Sequence, residues 1–220
     1  VSAPWSYSSL TSFETCPRRY KIVRLDRAIT EPQTEAMLHG TTVHKVLEDG
    51  ISGAAPVPEL YSKYAPLVEA ARAAPGEKFT EMKFGLDRAL SNVGFFSPSV
   101  WVRGVLDFAV VRGDHAVIVD WKTGKPKLDH DQLTLFAAAA FSVFDQVNTV
   151  DTAYAWLAYD KMDSQDFARE EMPAVWAEFR ARAARVDLAA ATGVYPPKPS
   201  GLCRKHCPVP FKTCEFSGRT

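Results

Sequence analysis

Two carboxylates near the middle of the chain sit where carboxylates are costly. Asp107 interrupts the run Gly104-Val105-Leu106-Asp107-Phe108-Ala109-Val110-Val111, and Asp120 ends Ala116-Val117-Ile118-Val119. An unpaired charge inside an apolar strand is unfavourable, so each needs a partner or a task. Lys122 follows Asp120 by two positions, and strand alternation puts both on one face and Trp121 on the other. If the two runs pair as a hairpin, Asp107 reaches that face too. Two carboxylates and an ammonium would then suit a divalent cation beside a positioned positive charge. The plainer account of Asp-x-Lys is a salt bridge at a strand end. His44 alone is a core or surface histidine; beside the aspartates it becomes a nitrogen ligand presented from a helix. Gln132 can hold a water or a phosphate oxygen, or be a polar residue in the first turn of a helix. Thr123-Gly124-Lys125-Pro126 is no phosphate loop, because Val119 stands where its first glycine belongs and proline follows the lysine.

The cysteines form a second group. Cys16 lies near the start, Cys203, Cys207 and Cys214 near the finish, and none between. A chain of this size needs no disulfides to fold, so the clustering suits a shared metal or iron–sulfur centre; unrelated thiols are the alternative. His206 could replace a thiolate in a zinc site.

The elements that must position these groups follow from patterning. Ser8 to Tyr20 reads as a serine-capped short helix broken near Pro17. Residues 35–51 and 59–74 read as helices, the second stopped by Pro75-Gly76, and Lys78 to Leu86 alternates as a strand. Trp101 to Arg112 and His115 to Lys122 make a hairpin about Gly113-Asp114. Gln132 to Phe144 is an alanine-rich helix capped by Asp129 or Asp131. A strand at about 149–159 and a helix at 171–191, stopped at Gly193, precede a loop with five prolines. Strands alternating with helices give an α/β class with a mixed sheet in a single domain, 1–220, with residues 35–192 as its core. Residues 1–30 and 195–220 would form a clasp around the cysteines.

With 220 residues, 46% hydrophobic and 24% charged, the chain is an ordinary globular one with a substantial core. No apolar run is long enough for a membrane span. The first residues lack a signal-peptide pattern, which gives a cytoplasmic expectation. The formal net charge is +0, yet both ends are basic. Residues 1–27 carry Arg18, Arg19, Lys21, Arg24 and Arg27 against Glu14 and Asp26; residues 198–220 carry Lys198, Arg204, Lys205, Lys212 and Arg219 against Glu215. Together they offer phosphate a local patch, or are simply solvated tails.

Taken in order, the motifs resemble a known family. Ser8-Ser9-Leu10-x-x-Phe13-x-x-Cys16-Pro17-x-x-Tyr20, Gly40-Thr41-x-Val43-His44, Gly104-Val105-Leu106-Asp107, Val119-Asp120-Trp121-Lys122-Thr123-Gly124-Lys125 and Gln132-Leu133-x-x-Phe136 are similar to the motifs of RecB-type nucleases of the PD-(D/E)XK superfamily. Phe136 stands where tyrosine is usual. The four cysteines resemble the split iron–sulfur pattern of AddB and of CRISPR-associated RecB-like exonucleases, with three and six residues between the last three. The resemblance implies a restriction-endonuclease-like core and a DNA exonuclease acting on single strands or ends in recombination, repair or replication. It implies His44, Asp107, Asp120 and the Trp121 carbonyl as ligands of Mg²⁺ or Mn²⁺, and Asp107, Asp120, Lys122 and Gln132 as catalytic. It further implies a [4Fe-4S] cluster on Cys16, Cys203, Cys207 and Cys214, with zinc as alternative. Arg18, Arg19, Tyr20 and Lys125 are the residues expected to touch DNA, and a helicase or recombination protein the expected partner. The rival reading is a non-catalytic nucleic-acid-binding or adaptor protein that keeps the fold and its clasp.

Overall fold

A computed structural model of the chain describes residues 3–127 and 129–218. In chain order the main elements are α1 (Tyr7–Thr15), α2 (Pro17–Tyr20), α3 (Glu35–Ser52), α4 (Ala65–Ala73), β1 (Glu77–Leu86), β2 (Asn92–Val93), β3 (Val102–Arg112), β4 (His115–Lys122), α5 (Asp131–Val143), β5 (Thr149–Trp156), β6 (Lys161–Ala168) and α6 (Met172–Thr192). They fall into two compact units, residues 34–176 and residues 1–33 with 177–220. Most of α6 therefore groups with the chain ends, where the sequence pattern assigned it to the core.

The larger unit is an α/β layer structure around a six-stranded mixed sheet of order β2-β1-β3-β4-β5-β6. All neighbours are antiparallel except β4 and β5. A parallel pair needs a crossover, and α5 supplies it. Gly113 adopts φ 62° in the β3–β4 turn, the left-handed conformation a tight hairpin requires. One sheet face is covered by α3 and α4, through Val43, Leu47, Val68, Phe108, Trp121 and Ala155. The other takes α5, whose Leu133 packs with Tyr154 and Trp156. Four successive alanines, Ala137 to Ala140, are fully buried and let this helix lie close to the strands. Arg169 satisfies its C-terminal carbonyls, donating to those of Phe141 and Phe144 at 2.9 and 3.1 Å.

Two expectations are corrected here, one strand is added and the start of α5 is located. The helix expected over 59–74 is a 3₁₀ segment, Glu59–Tyr64, followed by α4. Pro66 lacks the N–H that a continuous helix would use, and it sits in the first turn of α4 instead. The strand expected to reach 159 ends at Trp156, because Tyr159 N bonds back to its carbonyl and Asp160 turns to φ 48°. β6 escaped notice because its Lys-Met-Asp-Ser-Gln-Asp sequence lacks apolar alternation, as befits a solvated edge strand. His130 occupies the N-cap position of α5 and makes no side-chain cap bond; Asp129 accepts from Asp131 N, the first N–H of the helix, at 3.1 Å.

In the terminal unit, α1 opens with a reciprocal capping box between Ser6 and Ser9. Trp5 stacks on Phe179 at 6.0 Å. Glu14 accepts from Arg182 at 2.9 Å and from Arg185 at 2.8 Å, tying α1 to α6.

Candidate active site

Local distortion of two strands builds the site. Phe79 packs against Phe144 at the end of α5, and Phe84, five residues on, packs against Phe136 of α5. Strict alternation would send them to opposite faces. Likewise Phe108 joins the α3–α4 cluster, whereas a Cβ on Gly104 would lie 2.6 Å from the Phe84 ring on the α5 side. Both strands therefore invert their faces between these residues. The inversion falls at Glu81 and Asp107, which lie across from one another between the pairs Thr80–Phe108 and Met82–Leu106. Glu81 takes the left-handed φ of 47° there, a strained value for a residue with a Cβ.

His44 of α3 meets the two carboxylates. Its Nε2 lies 2.8 Å from the Trp121 carbonyl, which can only accept, so Nε2 carries a proton. Nδ1 then faces Asp107 Oδ2 at 3.4 Å and Glu81 Oε1 at 4.0 Å. Among the described residues this is the one place where three such ligand atoms gather within 4.8 Å. Asp107 Oδ2 also accepts from Trp121 N at 2.8 Å, so the carboxylate is held by the end of β4. Burial and the charge of Asp107 both push the Glu81 carboxyl pKa up. Burial opposes a proton on His44, but the bond to Asp107 and the charges of Asp107 and Asp120 outweigh it and raise the pKa. Two opposed carboxylates with an imidazole nitrogen between them fit a hard divalent cation, which would occupy the space a proton at Nδ1 otherwise takes.

The end of β4 forms a second triad. Asp120 is 3% exposed. Its Oδ1 accepts from Gln132 Nε2 at 3.0 Å, and its Oδ2 lies 2.5 Å from Lys122 Nζ. Lys122 donates in turn to Gln132 Oε1 at 3.0 Å, and its ammonium sits 5.0 Å from the Tyr154 ring centroid. Burial first, and then the Asp107 charge, push Asp120 up to about 7, against the pull of Lys122 and His44.

His44, Asp107 and the Trp121 backbone thus meet at one point, and Asp120, Lys122 and Gln132 at a second along the same strand end. The Trp121 carbonyl, expected as a ligand, takes the His44 bond. Glu81 was missed: it lies in an alternating strand with no flanking motif, and only the register opposite Asp107 reveals it. Lys125 is exposed in the loop after β4. In the terminal unit, Arg18 pairs with Glu215 at 2.7 Å and Arg19 with Glu31. Tyr20, expected against DNA, is 6% exposed and packs edge-on against Phe13 at 5.6 Å, so its ring has no free face. Cys16, Cys203 and Cys207 line one cavity of about 150 Å³ with Arg19 and His206. Cys214 Sγ lies 4.0 Å from Arg18. No three of the four sulfurs gather within 4.8 Å among the described residues, so their placement shows no site for a single shared ion, and an iron–sulfur cluster is not shown either.

Residues 4–212 match the PD-(D/E)XK nuclease superfamily, and the chain belongs to that superfamily. Its fold is similar to that of "Putative exonuclease" from Eubacterium rectale, with a TM-score of 0.52 at 11% identity, over 91% of this chain and 85% of that one. SSO0001 aligns at a TM-score of 0.49 and 14% identity, over 97% of this chain and 87% of its own. Comparison with curated proteins found no match. No helix among the described residues is long and apolar enough to cross a membrane.

Proposed function

We propose that this chain is a divalent-metal-dependent deoxyribonuclease that hydrolyses phosphodiester bonds, working as an exonuclease on single strands or DNA ends in recombination, repair or replication, alongside a helicase or recombination partner. The observation that carries the reading is the convergence of His44, Glu81 and Asp107 within 4.8 Å, next to the buried Asp120 and its half-buried partner Lys122. A cation such as Mg²⁺ or Mn²⁺ held there would supply Lewis acidity to a phosphate oxygen and to water.

The chain's own groups do the rest. His44 is fixed in one tautomer by the Trp121 carbonyl, which leaves Nδ1 for the ion. Asp107 is aimed by the Trp121 amide. Lys122, held between Asp120 and Gln132, places an ammonium where negative charge grows on the scissile phosphate. Gln132 bridges acid and base and sets the distance between them. Incubation of end-labelled DNA with Mn²⁺ tests the assignment. Cleavage should disappear in Asp107→Asn and Lys122→Ala, and unchanged cleavage in either refutes the site.

The cysteines belong to the same proposal as holders of a [4Fe-4S] centre, with zinc the alternative. Its support is chemical: three thiols line one cavity, and backbone amides of Lys198 and Ser200 point at Cys16 Sγ and Cys203 Sγ at 3.5 and 3.3 Å, as donors do around cluster sulfurs. Anaerobically purified protein should be brown with iron; a colourless zinc protein selects the alternative.

A further inference from the structure

Past Glu81 and Asp107, β1 and β3 have one closed face and one open face. Phe84, Leu86, Val102 and Leu106 are buried; Lys83 is exposed, and Arg103 and Val105 are half-buried. Alternation puts Lys83 on the side of Glu81, and Val105 and Arg103 on the side of Asp107. The register pairs Lys83 with Val105 and Gly85 with Arg103. The open face therefore leads from two carboxylates to two cations in four residues, about 13 Å of strand, and the segment after β2 closes it over Gly85.

Phe95 and Phe96, in the loop between β2 and β3, stand at its far end. Their rings meet edge to face at 4.9 Å. The Arg103 guanidinium lies 4.9 Å from the Phe95 centroid and 6.0 Å from that of Phe96, and Lys83 Nζ lies 5.9 Å from Phe95. Phe96 is 79% exposed. Among the described residues, the contacts of the Lys83 and Arg103 cations are with these rings and not with a carboxylate. A contact for an apolar protein surface would have no use for two uncompensated cations over its rings, whereas a base carries a π-face and a phosphate together. A base inside a duplex keeps both faces stacked on its neighbours, so only an unpaired base can meet an exposed ring.

We infer that the open face of β1 and β3 is a track for single-stranded DNA: Phe95 and Phe96 stack an unpaired base, Lys83 and Arg103 hold its phosphates, and the strand runs on to His44, Glu81 and Asp107. This rests on the nuclease reading and adds the residues that would hold a single strand and the path it takes.

The test is fluorescence anisotropy with a labelled dodecathymidylate in Ca²⁺, which allows binding to be read without Mg²⁺ or Mn²⁺. Phe96→Ala should weaken binding about tenfold, and Phe96→Trp should restore it. Arg103→Gln should weaken binding and flatten its salt dependence by about one phosphate contact, and a blunt duplex of the same length should lose far less. Phe96 is exposed, so its substitution should leave the melting temperature in place. Equal affinity of Phe96→Ala and the parent chain for the dodecathymidylate overturns the track, as does an equal loss on duplex. If the parent chain cleaves no DNA yet Phe96→Ala still loses affinity, the nuclease reading falls and the track stands. Normal cleavage with Phe96-independent binding has the opposite meaning, and assigns the two rings to a protein contact.

Discussion

Replacing Glu81 by Gln should move two observables in opposite directions. In the metal-free protein Glu81 lies opposite Asp107, and its carboxyl is pushed up by burial and by that neighbour's charge. Like charges directly across a strand pair cost about 0.2–1 kcal/mol. Full Coulomb repulsion at 4 Å and an effective dielectric of about 20 would be about 4 kcal/mol, but the Glu81 side chain keeps 34% of its exposure, so solvent screening favours the smaller range. In a chain of this size about 1 kcal/mol corresponds to about 2–4 °C. Metal-free Glu81→Gln should therefore melt about 1–3 °C higher than the parent. The same substitution removes one of three ligand atoms within 4.8 Å, which should weaken Mn²⁺ binding by at least about tenfold, or 1.4 kcal/mol. Scanning fluorimetry with and without Mn²⁺, together with titration calorimetry, reads both. A lower metal-free melting temperature, or undiminished Mn²⁺ affinity, refutes the idea that the gathered Glu81 and Asp107 carboxylates repel one another until a cation neutralises them.

Lys122→Met should lower single-turnover cleavage by about 10²–10³-fold, the usual cost of one charge-stabilising donor, while Mn²⁺ affinity from calorimetry stays near that of the parent; loss of metal binding would move Lys122 from the phosphate to the cation. The metal-free protein should lose stability as pH climbs from about 4 to 8. Asp120, pushed up to about 7, keeps a proton in the folded state that the unfolded chain gives up near 3.9, so its contribution is complete at low pH and gone above 7. The raised pKa of His44 acts with the same sign. Melting curves across that range should flatten in Asp120→Asn; an unchanged slope would show that other groups set it. Gly104→Ala places a Cβ 2.6 Å from the Phe84 ring, which should cost about 1–3 kcal/mol and be relieved by Phe84→Leu. Cys203→Ala should lower the melting temperature and, through it, DNA binding; lost cleavage with unchanged melting would argue against a clasp.

Legibility in the sequence tracked how local the cause was. The β3–β4 hairpin announced itself through two β-branched runs about Gly113-Asp114, and α5 through its alanines. Asp107, Asp120 and Lys122 stood out because a charge in an apolar run has few explanations. His44 needed the motif around it, since one histidine on a helix carries little information. β6 could not be read, because an edge strand with one neighbour owes nothing to apolar alternation. Tyr20, named as a residue to touch DNA, lies inside instead, because an aromatic ring serves a core as readily as a base and this one packs against Phe13.

Glu81 shows why part of such a site stays hidden. Alternation predicts faces only while a strand stays regular, and here two strands invert together at two carboxylates of the candidate site. Without the inversion, Phe79 and Phe84 could not both pack against α5. Nor could Phe108 join the α3–α4 layer while Gly104 faces Phe84. The core on both sides of the sheet therefore enforces the distortion, and the distortion turns Glu81 and Asp107 toward His44. The strain in Glu81 is held by the packing of large aromatics, Phe84 and Phe108 buried and Phe79 half-buried, rather than by a ligand, so the three donors are in place before any cation arrives. It follows that shrinking Phe79 or Phe84 should loosen metal binding from a distance, with no change in any ligand.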